Sequence, residues 1–176
     1  TFDYATLDGA DLRSVVGFNA TFIHTGMNNT YLQNAEFNRY SFLECGGYCG
    51  EANLTNAYLR DADLTNAYLR SADLTDADLQ YADLTDADLQ YADFTDAYLR
   101  DADLTDAYLR YANLTDADLW FADLTDAYLY QAVLTNADLY QADLTNAFLR
   151  YADFTDAYLT YSDLTNADLF QADLTN

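Results

Sequence analysis

The sequence predicts an all-β solenoid, a rod in which one short side is laid down every five residues and each coil rests on the one before. Three observations predict it. Leu or Phe occupies every fifth position from Leu54 to Leu174, with Phe94 and Phe154 the only replacements of Leu. Ala stands two places earlier each time, from Ala52 to Ala172, with Ser162 the one exception. The pattern runs through 25 consecutive repeats without an insertion.

A period of five excludes the regular alternatives. A helix brings one face round every 3.6 residues, so a strict five would walk around its surface. A flat strand alternates with period two, and five is odd. The chain must therefore turn once per repeat. Ala points inward, the next residue outward, Leu inward, and two outward residues make a corner. Stacked coils of this unit bury a ladder of Leu on Leu and Ala beside Ala.

The elements follow in order. Residues 1–43 carry the period in a looser form. Phe2, Leu7, Leu12, Phe22, Met27, Leu32, Phe37 and Phe42 keep one phase, with Gly17 as a gap. The phase then jumps by two residues across ECGGYCG, 44–50, which reads as a loop protruding from one corner. Residues 51–176 are the regular section. The two sections are expected to form one continuous solenoid, not two domains. In the loop, Cys45 and Cys49 flank a flexible Gly-Gly and can close a small disulfide, which implies an oxidising compartment. Free buried thiols are the second reading. A metal site is the third, and it would need two more ligands, with His24 and scattered acids the only candidates.

The repeat A(D/N)LXX, seen in ADLTD at 82–86 and ANLTD at 112–116, resembles the pentapeptide-repeat family over nearly the whole chain. That resemblance implies a right-handed, four-sided parallel β-helix, with one pentapeptide per side and about twenty residues per coil. About eight to nine coils at a strand spacing of ~4.8 Å make a rod ~40 Å long. The resemblance implies little about activity, because members of the family mostly lack an assigned one. Some members imitate duplex DNA and protect DNA gyrase from quinolones, dimerising through a carboxy-terminal segment that this chain lacks.

A second period of ten lies on the first. Thr follows the central Leu or Phe at Thr55, Thr65, Thr75 and onward to Thr175, flanked by Asp or Asn, with Val133 the one apolar intruder. The alternate repeats carry aromatic residues and arginines. With four repeats per coil, opposite sides are alike and adjacent sides differ. The lateral interaction candidates are Tyr98, Arg100, Tyr108, Arg110, Tyr111, Trp120, Phe121, Tyr128, Tyr130, Tyr140 and Tyr151. Two compatible readings apply to them: ladders of rings that stabilise the stack, and an interface, where Tyr, Trp and Arg are enriched.

Charge restricts the partners. Thirty acidic residues face seven basic ones, a formal net charge of −23, and every basic residue is Arg. Direct nucleic-acid binding needs a positive footprint that is missing here. No apolar run is long enough to insert in a membrane, and an anionic membrane surface would repel the chain. No Gly-rich phosphate loop, G-x-S-x-G or H-E-x-x-H occurs, and the aspartates repeat without converging, so an enzyme is not expected. No cofactor is expected, although Asp columns could hold Ca²⁺ weakly.

The function expected is that of a structural solenoid that assembles with itself head to tail into a filament or scaffold. The end-stacking candidates are Phe2, Leu7, Leu12, Leu164, Leu169 and Leu174. The alternatives are an acidic DNA mimic that binds a type II topoisomerase such as gyrase, and a generic module for a partner with a basic surface. Thr1 in place of Met, together with the possible disulfide, points to an extracellular or periplasmic protein, with a cytoplasmic one left open. Within the rod, Leu104→Asp should be far worse than Asp103→Ala. The latter removes one of many repelling carboxylates and should be neutral or mildly stabilising.

Overall fold

The computed structural model describes residues 6–7, 9–13 and 52–175. The expectations placed on Phe2, on His24, on Cys45 and Cys49 and on the loop at 44–50 lie outside these residues. Residues 52–175 form a right-handed, four-sided parallel β-helix of just over six coils. The residue before each central Leu or Phe bridges the residue twenty places on, in parallel: Asn53 with Asp73, Tyr58 with Asp78, and so on to Asp153 with Asp173. Four pentapeptides therefore complete one coil.

The core is the inward pair of the repeat. From Leu54 to Phe154 every central Leu or Phe is at most 1% exposed, and the alanines between them are buried. Each Leu contributes roughly 1.5–3 kcal/mol by leaving water. Ala is the residue that fits beside it, because a rod this narrow packs to the density of a crystal and has no room for a second large side chain.

The repeat also satisfies its own backbone, as Ala102–Asp106 illustrates. Asp103 N–H donates to Ala82 C=O at 2.9 Å, and Leu104 N–H to Asp123 C=O at 2.7 Å. Asp106 N–H donates to Thr125 C=O at 3.0 Å, and the next alanine, Ala107, donates back to Leu104 C=O at 3.0 Å. The fifth amide, on Thr105, donates to the Asp103 carboxylate Oδ1 at 2.9 Å. Every N–H of the unit is paired, as a buried or half-buried backbone requires. The Asp or Asn before the central Leu thus caps a corner.

The corner sets the third requirement. The four-residue turn from Leu104 to Ala107 has its third residue, Asp106, at φ 57°. The same left-handed backbone recurs at every fifth residue from Asn56 to Gln171, with φ between 53° and 63°. Asn and Asp tolerate this region better than other non-glycine residues. Much of the acidic composition is therefore an answer to backbone geometry. The short amino-terminal piece has the same corner. Ala10 N–H reaches Leu7 C=O at 2.9 Å across Gly9 at φ 70°, and Arg13 N–H reaches Asp11 Oδ1 at 3.3 Å. Leu7 and Leu12 pack, partly buried, against the core.

Candidate functional site

The twenty-residue coil sorts the outward residues into four columns of sides. Two opposite sides carry the threonines, all but Thr160 among residues 52–175. The other two, centred on Leu59 to Leu159 and on Leu69 to Leu169, carry the rings and all five arginines of residues 52–175. The lateral candidates therefore do not form one surface. Tyr98, Arg100, Trp120, Phe121 and Tyr140 belong to the first aromatic side. Tyr108, Arg110, Tyr111, Tyr128, Tyr130 and Tyr151 belong to the second, on the far face of the rod.

On the second side the expected stacking is realised. Tyr108 lies 5.0 Å from Tyr128, and Tyr128 lies 4.7 Å from Phe148, with planes within 6° of parallel. At the corner beside them Tyr91 stacks on Tyr111 at 4.9 Å. Tyr111, Tyr130, Tyr151 and Phe170 then continue edge to face at 5.5–5.9 Å. Arg110 sits over the Tyr130 ring at 5.3 Å. Arg150 sits over Phe170 at 5.3 Å, and its Nε donates to the Asp168 carboxylate at 2.6 Å.

The first side is built differently. Tyr98 bridges Asp78 and Asp118, so no ring lies directly above or below it. The ridge runs instead through Trp120, 5.0 Å from Tyr140, through Phe121, edge-on to Tyr140 at 5.9 Å, and on to Tyr161 at 5.7 Å. Arg100 caps it from below, 4.4 Å over Trp120, while donating to Asp118 Oδ2 at 2.8 Å. Such exposed ion pairs stabilise by only ~0–1 kcal/mol, and cation–π contacts by about 0.5–1 kcal/mol. Their main effect is to hold the rings in one arrangement. Phe148, Phe170 and Tyr161 belong to these ridges but are missing from the sequence-based candidates. The signal for them is the spacing of twenty, which puts Phe148 above Tyr128 and Tyr161 diagonally above Tyr140.

The threonine sides carry two kinds of carboxylate row. In the row before the central residue, carboxylates accept Thr N–H and hydroxyl bonds, which hold Asp153 and Asp163 below the usual carboxylate range. Arg150 lowers Asp168 on the aromatic side in the same way. In the corner row, burial raises Asp106, and the charges of Asp86 below and Asp126 above raise it further. Among the described residues no three His, Cys, Asp or Glu side chains converge as a metal site. Of the end-stacking candidates, Leu164 and Leu169 are half-buried against the core and Leu174 is 51% exposed.

A family model described as pentapeptide repeats matches residues 52–90, 82–120, 112–150 and 137–176. The chain is similar to HetL, a pentapeptide repeat protein involved in heterocyst differentiation regulation from the cyanobacterium Nostoc sp. strain PCC 7120. The two are 30% identical over 98% of this chain and 90% of that one, with a TM-score of 0.56. The trypsin-treated form of QnrB1, a plasmid-mediated fluoroquinolone resistance protein, shares the fold at 21% identity over 97% of this chain and 87% of that one, with a TM-score of 0.65. No curated protein sequence matches.

Proposed function

The chain belongs to the pentapeptide-repeat family, and from that premise we propose that it is a non-enzymatic solenoid that assembles with copies of itself through its two aromatic sides. One observation carries the reading. The ridges are packed within the rod, with Trp120, Tyr128, Tyr130 and Tyr140 half-buried, and still leave most of their rings open, from 37% exposure at Tyr111 to 78% at Tyr161. Large apolar rings held in a fixed array and left half in water are the composition of interface cores.

Charge supports the same sides. The rod repels its own kind through a net charge of −23. The carboxylate rows lie mainly on the threonine sides, whereas the five rod arginines lie on the aromatic ones. Side-by-side packing through the aromatic sides joins the least negative surfaces and keeps the acidic ones in solvent, where salt screens them over ~8 Å. Two such sides per rod allow a sheet or bundle. End-to-end growth through Leu7, Leu12, Leu164, Leu169 and Leu174 is the complementary mode. It would repeat the coil-on-coil contact that already holds residues 52–175 together.

Sedimentation over a range of concentration and salt tests the reading, with a Phe121→Asn/Tyr151→Asn/Tyr161→Asn variant as control. Asn suits the left-handed corner at these three positions, so the variant should remain folded. The parent should associate increasingly with concentration and salt, and the variant should stay monomeric. A parent that is monomeric throughout overturns the proposal. A second reading, an acidic imitation of DNA directed at a topoisomerase such as gyrase, draws on the threonine sides. In the coil 73–92 the threonine sides offer four carboxylates, Asp73, Asp76, Asp83 and Asp86, per ~4.8 Å of rise, a density of the same order as the one charge per ~1.7 Å of duplex DNA. Inhibition of gyrase binding to duplex DNA by the purified monomer tests it.

A further inference from the structure

Two clefts lie on the aromatic sides between residues 56 and 108, and the second of them opens directly beneath the Tyr108 stack. On the first side, Tyr58 and Tyr98 stand two coils apart with Asp78 between them. Asn56, Asp76 and Gln80 complete a cleft of about 390 Å³. On the second side, Tyr68 and Tyr108 stand two coils apart with Asp88 between them. Asn66, Asp86 and Gln90 complete a cleft of about 360 Å³. The two are the same construction, ten residues apart, on opposite faces.

The column above the second cleft shows what such a gap accepts. Tyr108, Tyr128 and Phe148 form a sandwich in which the middle ring is 5.0 Å and 4.7 Å from its neighbours and nearly parallel to both. In the clefts an Asp replaces the middle ring. Two strand spacings of roughly 9.5 Å then separate the outer tyrosine positions, leaving a slot one ring thick with a carboxylate at its back. Asp76 or Asp86 adds a second carboxylate at the adjoining corner. A flat cation in the middle would lie ~5 Å from each ring, inside the ~6 Å reach of cation–π attraction.

The guanidinium group matches this slot in shape, charge and bonding. It is planar, stacks on aromatic faces and bonds carboxylates through a fork of N–H donors. The protein already places guanidinium groups 4.4 Å over Trp120 and 5.3 Å over Tyr130. Its own nearest arginines reach the rims of the clefts and are already engaged there: Arg60 donates to Gln80 and sits over Tyr81, and Arg70 lies over Tyr91 with its Nη1 3.9 Å from Asp88 Oδ2, a loose pair that an incoming guanidinium would replace. Asp78 accepts Gln80 N–H through Oδ1 at 3.2 Å, and its Oδ2 accepts no bond among the described residues. We propose that the Tyr58–Asp78–Tyr98 and Tyr68–Asp88–Tyr108 clefts are slots for arginine side chains of a positively charged partner protein, one on each face of the rod. The net charge of −23 supplies long-range attraction for such a partner. This site goes beyond the lateral assembly proposed above and does not depend on it.

An Asp78→Tyr/Asp88→Tyr variant should fill both slots with a ring, as Tyr128 fills its own column, and its thermal melt reports whether the rod is intact. Tyrosine fluorescence of the full chain is titrated with a short peptide alternating Arg and Gly, and with the same peptide carrying citrulline or Lys. Citrulline keeps the shape of Arg without the charge, and Lys keeps the charge without the plane. The parent should prefer the Arg peptide to the citrulline peptide by ~10-fold or more, as expected for a cation held between two rings and a carboxylate. Lys should fall between them. The filled variant should lose most of that preference. A Tyr98→Asn/Tyr108→Asn variant opens the same slots without adding bulk and should lose it too. Arg binding that survives in both variants with the melt unchanged, or equal binding of Arg and citrulline peptides, overturns the slots. If the filled variant instead abolishes self-association in sedimentation, the occupant is a second copy, and the assignment to a basic partner is wrong.

Discussion

Replacing Asp103 by Ala and by Asn separates the two roles that the structure gives this carboxylate. Its Oδ1 accepts the Thr105 N–H at 2.9 Å, and its charge stands in a column between Asp83 and Asp123. Two unit charges ~5 Å apart in water repel by about 0.8 kcal/mol, and physiological salt roughly halves that. Relief from both neighbours therefore recovers less than ~1 kcal/mol. Loss of a side-chain acceptor for a corner amide costs about 1 kcal/mol by analogy with a helix N-cap. Ala takes both effects, which nearly cancel and place it at or slightly below the parent. The sequence-based expectation of a neutral or stabilising Ala counted the repulsion alone. Asn keeps the acceptor and sheds the charge, as Asn113 does where it accepts Thr115 N–H at 3.2 Å. Asn should therefore exceed both the parent and Ala, the latter by ~1 kcal/mol. Denaturant midpoints at low salt and near 1 M salt give the test. High salt should erase the advantage of Asn over the parent and leave its advantage over Ala. Equal midpoints for Ala and Asn at both salt concentrations would refute the capping bond.

Three further outcomes follow from the same geometry. Leu104→Asp should melt far below the parent, because a fully buried, unpartnered carboxylate costs several kcal/mol; an unchanged Tm would mean that the position does not face inward. Gln141→Asn should raise stability by ~0.5–1 kcal/mol by easing a left-handed corner held at φ 54°, read as a higher denaturant midpoint. Asp106→Asn should raise the Tm at neutral pH. Burial and then Asp86 and Asp126 raise the Asp106 pKa in the fold, so the charged form is disfavoured there and stability rises as pH falls through that raised value. The gain from Asn should accordingly shrink on acidification. Asp153 and Asp163 have lowered values, so their contribution runs the other way and is lost as pH falls through them.

A good part of this molecule is legible one repeat at a time. Leu104 and Ala102 are inward because only a turn every five residues keeps one phase through 25 repeats. The ten-residue alternation puts threonines and rings on different pairs of sides. These are local or strictly periodic properties, and periodicity survives in a linear string. The left-handed corner at Asp106 and the bond from Thr105 N–H to Asp103 are equally local. They stayed hidden because an Asp in a sequence looks like surface charge whether or not its oxygen caps a backbone amide. Other features belong to the tertiary structure alone. Tyr98 and Tyr108 stand in the same five residues, DAYLR. Tyr108 stacks on Tyr128 above and faces Asp88 below, whereas Tyr98 has Asp78 below and Asp118 above. One tyrosine therefore joins a continuous stack of rings and the other does not, and both wall a slot. What decides between them is the residue twenty places away, brought within a strand spacing by the winding of the coil, so the energy of each ring is set by a neighbour that its own repeat does not contain.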